Sequence, residues 1–137
     1  MQRKITQKLI NWSKQSARKP LVIKGARQVG KTWAIKDFGE KYFARTAYFN
    51  FDANSDLLQI FDVKDPHEII RLLEYVAGFK FVPAETLIVF DEIQQCPNAL
   101  NALKYFKEDA PEYFIIAAGS LLGTYLAKPK TYPVGMV

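Results

Sequence analysis

Cysteine and histidine are nearly absent from the 137 residues: Cys96 and His67 each occur once. An internal disulfide is therefore excluded, and so is a zinc site built from those ligands. Long apolar runs are missing as well. The least polar stretch, residues 114–127, carries Gly119, Ser120 and Thr124 and is shorter than the roughly 20 residues a bilayer crossing requires. Residues 1–12 mix Arg3, Lys4 and Lys8 with Gln and Thr, which leaves no continuous apolar core for a secretory leader. The cytoplasm is the expected location. Acid is lacking from residues 1–36, where ten of the 19 basic residues lie, leaving nine basic against 14 acidic residues in the remainder. That asymmetry calls for an anionic partner near the N-terminal end: a nucleotide, a nucleic acid, or the acidic remainder of the same fold.

What is present belongs to an ordinary folded domain. Hydrophobic residues make up 49% of the chain and charged residues 24%, which excludes disorder and suits one domain over residues 1–137. Residues 3–17 predict an amphipathic helix, with Ile5, Leu9 and Trp12 on one face and Lys4, Lys8, Asn11 and Lys14 on the other. Pro20 ends it, so residues 1–19 form a basic N-terminal helical segment of the domain.

Residues 21–24 predict a short buried strand, followed by a glycine-containing turn and a helix over about 31–43. Residues 46–52 predict a second strand, with Tyr48, Asn50 and Asp52 on one face and Ala47, Phe49 and Phe51 on the other. Asp65, Pro66 and Glu68 then form a helix-start signature ahead of Ile69, Leu72, Leu73 and Val76, and Gly78 suits the helix end. Residues 86–91 read as a central parallel strand. Pro97 opens another helix with Leu100, Leu103 and Phe106 inward, Pro111 stops it, and residues 113–118 form a fourth strand. A short helical stretch is expected at 121–127. Strands alternate with helices throughout, so the fold class is α/β with a mainly parallel sheet.

Gly25, Ala26, Arg27, Gln28, Val29, Gly30, Lys31 and Thr32 match the pattern G-x-x-x-x-G-K-[ST] in full, between a strand and a helix. Such a loop turns successive backbone N–H groups onto phosphates at a helix N-terminus, where the helix dipole favours negative charge. Lys31 would reach the β- and γ-phosphates, Thr32 would offer its hydroxyl to Mg²⁺, and Trp33 follows directly in the nucleotide-binding segment. The competing account is a glycine-containing turn followed by a chance Lys-Thr. Average residue usage would produce the pattern by accident on the order of once in a few hundred such chains.

Asp91 and Glu92 close the third strand. A phosphate loop needs a carboxylate at the tip of a neighbouring strand to hold the magnesium water shell, which is the place of Asp91. Glu92 would orient or deprotonate the attacking water; alternatively it caps the strand or joins a surface ion pair.

Taken together, these two motifs resemble those of AAA-type P-loop ATPases. More closely, the chain resembles a prokaryotic group of AAA-like ATPases that carry a separate C-terminal domain of unsettled function. The resemblance rests on the segment around residues 18–32, the run Asp91, Glu92, Ile93, Gln94, and Ala118, Gly119, Ser120. It implies a three-layer P-loop NTPase fold, ATP and Mg²⁺ as cofactors, and hydrolysis that drives a conformational change in a downstream domain. It also implies a sensor role for Ser120 on the γ-phosphate, beside the simpler role of a helix N-cap. Asn50 is similar to the polar residue that restrains the glutamate in some of these enzymes, and equally to an Asn that satisfies a local backbone group.

Residues 132–137 resemble the start of a fifth strand, so the domain is expected to be incomplete, with lid, second sensor, arginine finger and effector domain beyond Val137. No N-K-x-D segment for reading guanine occurs. Two other functions stay open: a nucleotide-binding switch that does not hydrolyse, and a nucleic-acid-associated module suggested by the basic helix face and the 14% aromatic share.

Overall fold

The computed structural model describes residues 2–15, 19–24 and 31–119. Helix α1 spans Gln2–Ser13, strand β1 Leu21–Lys24, α2 Lys31–Tyr42, β2 Arg45–Asn50, α3 Pro66–Ala77, β3 Thr86–Asp91, α4 Pro97–Asp109 and β4 Phe114–Gly119. Two 3-10 segments intervene, Ser55–Asp62 and Ile93–Gln95. The strands form one sheet in the order β1-β4-β3-β2, and every pairing is parallel.

Side-chain alternation along the buried strands divides the apolar residues between the two faces of the sheet. Leu87, Val89, Phe114, Ile116 and Ala118 pack with Leu9, Trp12, Ile35 and Phe38 from α1 and α2. Ile88, Phe90, Ile115 and Ala117 face the opposite way, against Ile69, Leu73, Leu103 and Phe106 from α3 and α4. Both β3 and β4 are buried along their whole length, as a parallel strand covered by helices on both sides must be. The result is three layers, helix–sheet–helix.

Local chemistry explains where the elements start and stop. Asp65 caps α3 by accepting the Glu68 N–H, Pro66 occupies its first turn, and Gly78 ends it at φ 86°. Gly39 lies where α2 packs against β2: a Cβ there would meet Thr46 Oγ1 at 2.2 Å and Leu87 at 3.1 Å, so a larger residue would force Thr46 to move. Helix α1 ends at Ser13, earlier than its periodicity predicts. The chain beyond it is tied back when the Trp12 indole N–H donates to the Lys19 carbonyl at 2.6 Å.

Other boundaries also shift. Strand β2 stops at Asn50 and not at Asp52, because residues 51–53 turn into the 3-10 segment, which the sequence reading missed. Val76, at helical spacing with Ile69 and Leu73, is 49% exposed, whereas Ile70 is buried on α3. The expected helix at 121–127 and the fifth strand near 132–137 lie outside the described residues.

Aromatic residues account for much of the packing on the α3/α4 side. Phe51, Phe61 and Phe90 meet in edge-to-face pairs with centroids 5.5–5.8 Å apart, a geometry favoured by the ring quadrupoles. These rings are at most 2% exposed, so they cannot stack on nucleic-acid bases.

Candidate functional site

Parallel strands place their C-terminal ends along one edge of the sheet, where ligand sites of open α/β folds form. Lys24, the last residue of β1, is paired with Gly119 of β4, and Asp91 of β3 is paired with Ala118 of β4 and with Asn50 of β2. Strands β1 and β4 thus end at the same edge as β3. Gly25, Ala26, Arg27, Gln28, Val29, Gly30 and Ser120 themselves lie outside the described residues. Lys31 is the first residue of α2.

Thr32, in the first turn of α2, donates its hydroxyl to Asp91 Oδ2 at 3.2 Å. Fifty-nine residues separate the two in sequence, yet the first turn of the helix and the tip of β3 converge on one oxygen. Asp91 is 4% exposed, so its carboxylate needs compensating donors, and it has them. Tyr48 O–H also donates to Oδ2, and the Glu92 N–H donates to Oδ1 at 2.9 Å. Among the described residues no group of three or more His, Cys, Asp or Glu could hold a metal ion. The Thr32 hydroxyl and Asp91 carboxylate are hard oxygen donors of the kind Mg²⁺ accepts when water and phosphate complete its shell.

Tyr48 was not singled out in the sequence, although its register could have suggested it. It pairs with Val89 on β3 and shares a face with Asp91 two residues on, within reach of a long phenol. Burial, followed by the hydrogen bond to Asp91 and its charge, pushes the Tyr48 hydroxyl far above its ordinary pKa. It therefore remains a donor. Lys36 Nζ lies 4.2 Å from the ring centroid, a cation–π contact that holds the ring from its other side.

Glu92 follows Asp91 in a left-handed conformation, φ 54° and ψ 45°. It is 9% exposed. Its Oε1 accepts from Gln94 Nε2 at 2.7 Å. Gln94, which the sequence marks only as part of a motif, is 2% exposed with its own Oε1 buried and unpartnered.

The Asn50 side-chain oxygen Oδ1 accepts the N–H groups of Asp52 and Ala53 at 2.9 and 3.0 Å. It thus forms a turn of the type Asn favours. Trp33 is 55% exposed. Cys96 is buried in the core, and burial raises its thiol pKa, as suits a packing residue and not a nucleophile. His67 lies on the surface against Glu112 at 3.0 Å. A groove of about 470 Å³ runs beside β2, lined by Tyr48, Asn50, Val76 and Phe79 among others.

An all-parallel sheet in this order, with helices on both faces and a Thr–Asp pair joining a helix start to a strand tip, defines a P-loop type α/β core. Comparison with known proteins agrees: an AAA domain family model matches residues 17–137, and the chain belongs to that family and carries a P-loop ATPase core. Among solved structures, the Walker-type ATPase PABY2304 of Pyrococcus abyssi is similar over 100% of this chain and 53% of its own, with TM-score 0.58 and 14% identity. The chain thus spans about half the length of that protein. PCH-2 of C. elegans is similar over 98% of this chain and 36% of its own, with TM-score 0.46 and 14% identity. None of the curated proteins matches in sequence. Among the described residues no helix is long and apolar enough to cross a membrane.

Proposed function

We propose that this chain binds Mg-ATP along the C-terminal edge of the sheet and hydrolyses it in the cytoplasm. The observation that carries the reading is the Thr32–Asp91 hydrogen bond, because it brings together the two side chains such a site requires from separate elements. In this reading residues 25–30, Lys31 and the segment through Trp33 hold the nucleotide, and Ser120 monitors the γ-phosphate. Thr32 and Asp91 hold Mg²⁺, which when bound neutralises charge developing on the phosphate oxygens. Asp91 keeps its orientation through Tyr48 and the Glu92 N–H. Glu92 takes the proton of the attacking water, a task suited to a carboxylate on a rigid turn beside the strand tip. The work obtained is passed to a domain that follows residue 137.

ATP is favoured over GTP because the sequence has no N-K-x-D segment. Nucleic acid is not favoured as a partner, since the large aromatics are mostly packed in the core. Calorimetry with Mg-ATP tests the binding step: heat of binding in the wild type and none in Lys31→Ala supports the reading. Equal affinity in both, with both proteins folded, removes the loop from the site.

A further inference from the structure

Gln94 has a position that packing does not explain. Its side chain is 2% exposed at the end of β3's turn, its Nε2 donates to Glu92 Oε1 at 2.7 Å, and its Oε1 is buried without a partner. A carboxylate only accepts, so the amide group facing Glu92 must be the NH₂. The orphaned oxygen is then an unfavourable consequence of that orientation, since a buried unmade hydrogen bond carries a desolvation penalty. An apolar side chain of similar volume would avoid it. Glu92 itself has a backbone conformation that non-glycine residues rarely adopt. Two unfavourable features thus meet at one contact, a pattern that marks functional geometry more often than accident.

We infer that Gln94 is a positioning residue for Glu92: its amide holds the carboxylate beside the left-handed turn so that the base meets the attacking water in one orientation. The inference rests on Glu92 being the base, as proposed above, and on nothing further about the nucleotide. Gln94 touches no reacting atom in this scheme and acts through Glu92. A 1 Å misplacement of a catalytic group costs up to about 10²-fold in rate, which sets the scale expected when the clamp is lost.

The test compares Gln94→Leu, Glu92→Gln and the double variant in the full-length protein. Leucine removes the amide together with the orphaned acceptor, so folding should be preserved, and thermal unfolding checks that. Gln94→Leu should lower kcat by about 10- to 10²-fold with KM for ATP unchanged, and should have no added effect on a Glu92→Gln background. In nucleotide-free protein the Gln94 side-chain NH₂ protons should exchange slowly by NMR and lose that protection in Glu92→Ala.

Wild-type kcat in Gln94→Leu beside an inactive Glu92→Gln overturns the positioning role and leaves the base in place. A Glu92→Gln variant that still turns over overturns the base assignment itself, as does a wild type without turnover. Fast exchange of the Gln94 NH₂ protons in the wild type removes the clamp.

Discussion

Asp91 and Glu92 are adjacent in sequence, both carboxylates and both buried, yet their surroundings share almost nothing. Asp91 is the last residue of a strand, extended and registered against Asn50 on one side and Ala118 on the other. Its two oxygens accept from Thr32, Tyr48 and the next backbone N–H, three donors from three elements. Glu92 has left the sheet through a left-handed turn, and its carboxylate is held from the 3-10 segment that follows, by Gln94. The described side-chain contacts of Asp91 come from distant elements, whereas that of Glu92 with Gln94 is local. In the proposed function the first would hold a cation, which gains from many rigid donors, and the second would take a proton, which requires one defined orientation.

Replacing Glu92 with Gln breaks this contrast most severely. The shape of the turn is retained and the proton acceptor is lost, so ATP should remain bound while phosphate release slows by roughly 10²- to 10⁴-fold. A phosphate-release assay beside a binding isotherm measures both. A loss of binding of the same size as the loss of turnover would place Glu92 with Asp91 in holding the nucleotide.

Tyr48→Phe tests the other side. Phenylalanine keeps the ring that lies beside Lys36 and removes only the donor to Asp91. Partners that orient a metal-holding group are worth about 10- to 100-fold in affinity, so nucleotide binding in the presence of Mg²⁺ should weaken by that factor. Binding measured in excess chelator should not change. Equal weakening in both conditions would mean that Tyr48 shapes the pocket and not the cation site.

The sequence exposed these two acids unequally. The position of Asp91 was legible because a continuous apolar run ending in an acid is a signal of a central strand. The alternation of strands and helices and the cap residues of α3 were legible for the same reason: each depends on neighbours in the chain. Tyr48 was not, because its role depends on β2 lying beside β3 in a particular register, and nothing local reports that pairing. Gln94 was visible as part of a motif, but its function depends on the sign of φ at Glu92, which a non-glycine residue does not advertise. The misplaced end of β2 has a similar origin. The alternation at 46–52 continues past Asn50, but the side chain of Asn50 captures two backbone N–H groups and turns the chain away.

That capture also separates two accounts of Asn50, and the smallest expected effect decides between them. Its Oδ1 is occupied by the Asp52 and Ala53 N–H groups, so a role in shaping the turn predicts a modest loss of stability in Asn50→Ala. Each such hydrogen bond contributes about 0.5–1.5 kcal/mol net, and these are solvent-accessible, so water recovers part of that. Urea unfolding should therefore show a destabilisation near 1 kcal/mol with unchanged slope. Basal ATP turnover should stay at the wild-type level, because Asn50 Oδ1 is engaged by the turn it shapes. A rise in basal turnover without a change in stability would instead show that Asn50 restrains the glutamate, and would mean that the side chain exchanges its turn contacts for Glu92 during the cycle.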